Sequence, residues 1–198
     1  MSREKSDTRT RILESARALL ESGAGGEVRM SDIAKRAGIS RQALYLHFPK
    51  RADLLIATTR HVDAVNDIDA RLAPSRAALS GVERLDAYIE AWGNYIPLIH
   101  GVARALISMQ DTDEDAQAAW NDRLRAVREG FEAAVAALKR DDVLSADFTP
   151  KQAADWLWTT VSVESWEKLT RDCGWSQREF IETMKSAARK TLLGESGG

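Results

Sequence analysis

The chain is expected to be all-α. Three observations lead there. Apolar residues recur at three- and four-residue spacing through most of the 198 residues, runs of alternating β-branched residues are absent, and prolines number four. A composition of 44% hydrophobic and 29% charged residues is that of an ordinary globular protein. About nine helices are expected.

Residues 8–22 carry Ile12, Ala16, Leu19 and Leu20 on one face, with Ser6 or Asp7 as the cap and Gly23 as the stop. "GAGGE" (23–27) reads as a loop. A second helix is expected over about 31–37, with Met30 and Ile33 inward, and a third over about 41–47. A fourth, about 51–72, carries Leu54, Leu55, Val62, Val65 and Ile68, and "APSRAALSG" (73–81) reads as a linker. Then come a helix over 82–95, a break near Pro97, a short helix over 98–110, and a long helix over about 113–140 opened by the acidic "DTDED". The last two helices are expected at about 151–172 and 177–193, with Ser176 and Glu179 forming a capping box. The first of these is apolar on more than one side (Trp156, Leu157, Trp158, Val161, Val163, Trp166), which points to a second subunit covering it.

Net charge is −2, but it is unevenly spread. Residues 1–60 hold twelve Lys and Arg against seven acids, a surplus of five positive charges on an acidic remainder. That pattern fits an anion-facing module joined to something else.

"AKRAGISRQALYLHF" (34–48) has the spacing of a helix-turn-helix. Ala34 is small where a second helix crosses over it, Gly38 makes the turn, and Ser40 caps the next helix. Ile39 and Leu44 fill the space between the helices, and Phe48 joins the core. A seven-residue helix is not stable in isolation. Held by its neighbours, it need only present an outer face that fits the DNA major groove. Arg41, Gln42 and Ala43 open that helix. Arg pairs with guanine and Gln with adenine at base edges, while Tyr45, His47, Lys50 and Arg51 are candidates for phosphate.

With these motifs in view, the sequence resembles the TetR family of one-component transcriptional regulators. "RILESARALLESG", "SDIAKRAGISRQALYLHF" and "KRADLL" carry the resemblance, which covers about residues 8–60. It departs in having Arg29 where Thr often caps the second helix, and Lys50 and Arg51 where the family has one Lys after the Phe. The resemblance implies an N-terminal three-helix DNA-binding domain (1–50, with the helix-turn-helix at 31–48) and a C-terminal helical ligand-binding and dimerisation domain (51–198). It also implies a homodimer through the last two helices and a palindromic double-stranded operator with half-sites roughly 34–36 Å apart. A small-molecule effector would bind the body, shift the fourth helix and release the operator.

Six tryptophans suggest an aromatic-lined cavity for an apolar or aromatic effector. Trp92, Tyr95, Trp120, Phe131 and Trp158 are the candidate lining residues, and Asn94, His100 and Thr159 the candidate polar contacts. Three histidines without metal-ligand spacing and a lone Cys173 argue against a metal site, a cofactor or a disulfide framework. No catalytic constellation is present, so an enzyme is not expected. No stretch near 18 apolar residues occurs, and the charged N-terminus lacks an apolar signal core, so the expected location is the cytoplasm. Sequence alone leaves two rivals to a repressor: an activator on the same fold, and a helical small-molecule-binding protein or enzyme without DNA function.

Overall fold

A computed structural model describes residues 2–22 and 28–194, with side chains from residue 7 onward. The expected 23–27 loop lies outside the described residues. Ten α-helices and one π-helical turn follow in order among those described: α1 (Ser2–Glu21), α2 (Met30–Arg36), α3 (Arg41–His47), α4 (Arg51–Val65), α5 (Ile68–Ala77), α6 (Gly81–Met109), α7 (Glu114–Arg140), α8 (Pro150–Thr160), α9 (Val163–Glu167) running into the π turn (Lys168–Asp172), and α10 (Gln177–Leu192). The all-α expectation holds. The only β geometry among the described residues is an isolated antiparallel bridge between Leu144 and Leu193. No helix of the described residues is long and apolar enough to cross a membrane.

Several boundaries differ from expectation. The first helix starts at Ser2, so neither Ser6 nor Asp7 caps it. The fourth helix stops at Val65 because Asp67 sits in the left-handed region at φ 53°, and α5 begins beyond it. The expected 73–81 linker is half helix, since α5 runs through Pro74 to Ala77. The expected 151–172 helix breaks after Thr160, and Ser162 caps α9 by accepting from Ser165 N–H. The capping box at Ser176 and Glu179 is present as expected.

The chain folds as two compact units: Met1–Asn66 with Ile99–Leu124, and Asp67–Leu98 with Arg125–Gly198. Helices α6 and α7 each contribute a segment to both.

In the first unit, α1 packs on α2 and α4, and α2 packs on α3. The core holds Ile12, Ala16 and Leu20 of α1, Ile33 and Ala34 of α2, Leu44 of α3, and Leu54, Leu55 and Val62 of α4. Thr58 and Thr59, buried on α4, return their hydroxyl protons to the carbonyls of Leu54 and Ile56. Polar ties join α4 to α7. Arg51 donates through Nη1 and Nη2 to the two carboxylate oxygens of Asp113, each at 2.8 Å, and through Nε to the Val28 carbonyl at 2.8 Å. Asp115 accepts a further bond from Nη1 at 3.3 Å. Arg60 pairs with Asp122 at 3.0 Å, and Arg123 pairs with Asp63. On the α1 side, His61 Nε2 lies 2.5 Å from Glu14.

In the second unit the break expected near Pro97 does not occur, and α6 is continuous. Proline has no N–H to give the carbonyl four residues back and its ring crowds that carbonyl. Here the orphaned carbonyl belongs to Gly93, and Gln177 Nε2 donates to it at 2.8 Å. Trp166 Nε1 in turn donates to Gln177 Oε1 at 2.7 Å, so one side chain of α10 repairs α6 and satisfies a buried indole. Gly93 also leaves room for α10, because a Cβ there would stand 2.9 Å from Ile181 Cγ1. Around this lie Tyr88 and Phe131, edge to face at 4.8 Å, with the Tyr88 hydroxyl donating to Val127 O at 2.9 Å.

Two predictions follow from these contacts. Gln177→Leu strands both the Gly93 carbonyl and the Trp166 N–H, and should cost about 1–3 kcal/mol of stability in urea unfolding; Gln177→Glu keeps the acceptor for Trp166 but sets a carboxylate oxygen against the Gly93 carbonyl, and should cost at least as much at pH 7. The second concerns acid. Hydrogen bonds from Arg51, against the opposing effect of burial and with help from the N–H groups of Ala116 and Asp115, hold the Asp113 carboxyl below its ordinary value. A depressed carboxyl contributes stability that is fully present above its unfolded pKa near ~3.9 and is lost as pH falls through the lower folded value. Asp113→Asn keeps the helix-capping oxygen but not the charge. It should lower stability at pH 7 and flatten the acid limb of the urea midpoint plotted against pH.

Candidate nucleic-acid interface

The helix-turn-helix is built by backbone closure. At the end of α2, Gly38 adopts φ +66°, the region where a Cβ is costly. Its N–H donates to Lys35 O at 3.2 Å, and Ile39 N–H reaches back to Ala34 O at 3.1 Å. That pair of bonds is a Schellman closure, which satisfies the last carbonyls of α2 and redirects the chain. Ser40 then accepts from Ala43 N–H at 3.1 Å and starts α3.

α3 has seven residues and is fixed by its inner face. Leu44 is 0% exposed, and Phe48, which ends the helix before Pro49, is 3% exposed. The Arg9 guanidinium lies 4.3 Å over the Phe48 ring, a cation–π contact that ties α1 to the end of α3.

The outer face carries the expected DNA-contact residues. Arg41 and Gln42 are exposed, Ala43 and His47 are half-buried, and Tyr45 is 38% exposed. Arg41 Nη2 donates to the Tyr45 hydroxyl at 3.5 Å, with the guanidinium 5.7 Å from the ring centre. Lys35 and Arg36 stand exposed on the last turn of α2, and Lys50 is exposed just before α4. The two phosphate candidates beyond Phe48 therefore separate. Lys50 faces outward, whereas Arg51 is turned into its own unit and spends its donors on Asp113, Asp115 and Val28.

Charge in the first unit is sorted by these pairings. Arg51 and Arg60 are matched by acids of α7 and the residue before it, while Lys35, Arg36, Arg41 and Lys50 remain exposed around the helix-turn-helix.

Sequence reasoning missed two residues here. Leu46, on the outer face of α3, is 81% exposed. Its position four residues after Gln42 was the available signal. Asp113 was read only as part of an acidic helix start, though an acidic cluster in a chain with a basic first third was the clue to a partner.

The eight ligand candidates divide between the units. His100, half-buried, and Trp120, buried, belong to the first. Trp120 lines a cavity of about 10 Å³ with Thr59 and Val62 of α4, Ile99 and Leu106 of α6, and Arg123. Burial, followed by the charge of Arg60, lowers the Arg123 pKa, and among the described residues its Nε is buried without a hydrogen-bond partner. The other six lie in the second unit. Trp92, Tyr95 and Phe131 are core residues, and Trp92 Nε1 donates to Val161 O at 2.8 Å. Trp158 is half-buried with the Arg128 guanidinium 5.5 Å over its ring, and Asn94 and Thr159 are exposed.

Residues 12–58 match the model of the bacterial regulatory proteins of the tetR family. Nucleoid occlusion factor SlmA of Marinomonas sp. (strain MWYL1) is 43% identical over 54 residues, which is 27% of each chain. Three solved structures share the fold along nearly the whole chain. A proposed transcriptional regulator from Saccharomonospora viridis, in complex with choline, is 20% identical over 96% of this chain and 100% of that one, at a TM-score of 0.73. NalD of Pseudomonas aeruginosa, the secondary repressor of the MexAB-OprM multidrug efflux pump, is 20% identical over 98% and 100%, at 0.68. The fatty acid degradation regulator FadR of Bacillus halodurans is 15% identical over 90% and 96%, at 0.71. At these identities the three carry the fold alone, and the likeness to the family lies in residues 12–58. Over residues 12–58 the chain matches the tetR family of bacterial regulatory proteins, and over nearly its whole length it has the fold of these solved structures.

Proposed function

We propose that the protein is a sequence-specific DNA-binding transcriptional regulator, acting as a homodimeric repressor that a small-molecule effector releases from a palindromic operator. The observation that carries the reading is α3 itself. Its inner residues are locked in the core while Arg41, Gln42 and Tyr45 stand outward, ringed by exposed cations. A helix held in this way can enter the major groove without rearranging. NalD is a repressor, and repression is the sign proposed here. Arg41 and Gln42, backed by Ala43, read base edges, and Tyr45, His47 and Lys50 grip phosphates. Arg51 keeps α4 in register through Asp113 rather than reaching DNA. The site of action is the cytoplasm, where the DNA is.

Dimerisation is assigned to the C-terminal helices from α8 onward, and the effector site to the body. The cavity beside Trp120 is the first place to look for it, because it touches α4, α6 and α7 at once. Its present volume admits about one water, so an effector must part those helices to enter. The buried Arg123 Nε–H suits an effector with an acceptor oxygen on an apolar body. Binding only to the parted arrangement would shift α4 by population, with a coupling of roughly 1–3 kcal/mol between effector and operator. His100, of the same unit, is proposed as a secondary contributor, and Trp92, Asn94, Tyr95, Phe131, Trp158 and Thr159, all of the second unit, are proposed as a separate set of candidates.

Fluorescence anisotropy with duplex DNA from upstream of the protein's own gene, at two salt concentrations, tests the DNA reading. Tight binding that weakens steeply with salt and is absent on unrelated DNA is expected; no binding at low salt would overturn it. Lys50→Ala should weaken binding to all sequences and, with one Lys50 in each protomer of the dimer, reduce the log–log salt slope by about two, while Gln42→Ala should relax base preference by roughly 1–3 kcal/mol at one position of each half-site. Once an inducer is found by screening, Trp120→Phe should reduce its affinity about tenfold, the order expected for losing part of one buried aromatic contact. Operator affinity without inducer should stay unchanged.

A further inference from the structure

Leu46 has no role in the reading so far. A lone exposed leucine on a protein surface is ordinary, and Leu79 is more exposed still. What distinguishes Leu46 is its address. It lies between Tyr45 and His47 on the short helix whose outer face carries the candidate base contacts, and it is 81% exposed while Leu44, two residues earlier, is fully buried.

Helical spacing sorts the outer face into two strips. Arg41 and Tyr45 form one, and their side chains touch. Gln42 and Leu46 form the other, one turn apart and both exposed. The second strip thus joins an amide, which matches the donor and acceptor edge of adenine, to a branched apolar group. In the major groove the apolar feature is the 5-methyl group of thymine. Exposed cations at Lys35, Arg36, Arg41 and Lys50 surround the strip, so a nucleic acid fits this apolar group better than an apolar protein surface does.

We infer that Leu46 is a specificity-determining residue that packs on the methyl group of a thymine in each operator half-site, one step along from the base that Gln42 reads. This inference rests on the DNA-binding reading and names the bases it selects: a thymine contacted by Leu46 beside an adenine contacted by Gln42.

The test begins by selecting an operator from a randomised duplex pool with the full-length protein. Each thymine of the selected half-site is then replaced in turn by deoxyuridine, which removes only the 5-methyl group. Affinities are measured by anisotropy for the wild type and for Leu46→Ala. For one thymine per half-site, the replacement should weaken wild-type binding about three- to fivefold, the factor expected for one methyl removed from an apolar contact. The same replacement should leave Leu46→Ala binding unchanged, because the contact is already gone. Indifference of the wild type to every replacement overturns the inference and leaves the DNA-binding reading standing, as does an undiminished penalty in Leu46→Ala. If Leu46→Ala instead changes the oligomeric state in light scattering and not the DNA affinity, Leu46 belongs to a protein contact and the inference fails. Failure of the pool to enrich any sequence overturns the DNA-binding reading as well.

Discussion

A seven-residue helix has no stability of its own, and most of what matters in the first unit follows from holding one in place. Its start is set by Ser40 and by the left-handed Gly38, its inner face by Leu44, and its end by Phe48 before Pro49. Phe48 is itself roofed by Arg9 of α1. With every inward position spent on anchoring, the outward positions are relieved of structural duty and can be chosen for what they touch.

Electrostatics does a similar division of labour. A positive surplus confined to the first sixty residues suggests a uniformly basic module. The structure shows instead that part of that charge is neutralised internally: Arg51 by Asp113 and Asp115, Arg60 by Asp122. The Arg51 pair is shielded from solvent, with side chains 12% and 14% exposed, so salt screens it less than it screens the cations around the helix-turn-helix. Ionic strength therefore acts on the anion-facing surface more strongly than on the bonds that keep α4 in position.

Local signals were legible in the sequence, and distant ones were not. The Gly38 turn, the Ser40 cap, the Ser176–Glu179 box and the inward Leu44 and Phe48 each depend on a few adjacent residues, and each is where spacing puts it. Two of the contacts that spacing does not announce share one physical root, separation along the chain. Pro97 reads as a break because the Gly93 carbonyl it orphans is satisfied by Gln177, eighty-four residues beyond that carbonyl. Arg51 reads, beside Lys50, as a phosphate candidate because its partner Asp113 is sixty-two residues away. The stop at Asp67 depends on a left-handed residue that carries no glycine to announce it. The aromatic candidates were grouped by residue type, which says nothing about which of them share a unit.

The ties between Arg51 and Asp113, Arg60 and Asp122, and Asp63 and Arg123 also bear on modularity. An N-terminal DNA reader is often imagined as a cassette that can be exchanged between relatives by cutting the chain once. Here a cassette cut after Asn66 would leave behind the carboxylates that neutralise two of its arginines and the arginine that neutralises its aspartate. It would also expose Thr59 and Val62, which face the cavity shared with α6 and α7. A working chimaera would have to carry residues 99–124 as well. The first unit is discontinuous along the chain, and a single cut would leave these charged side chains without their partners.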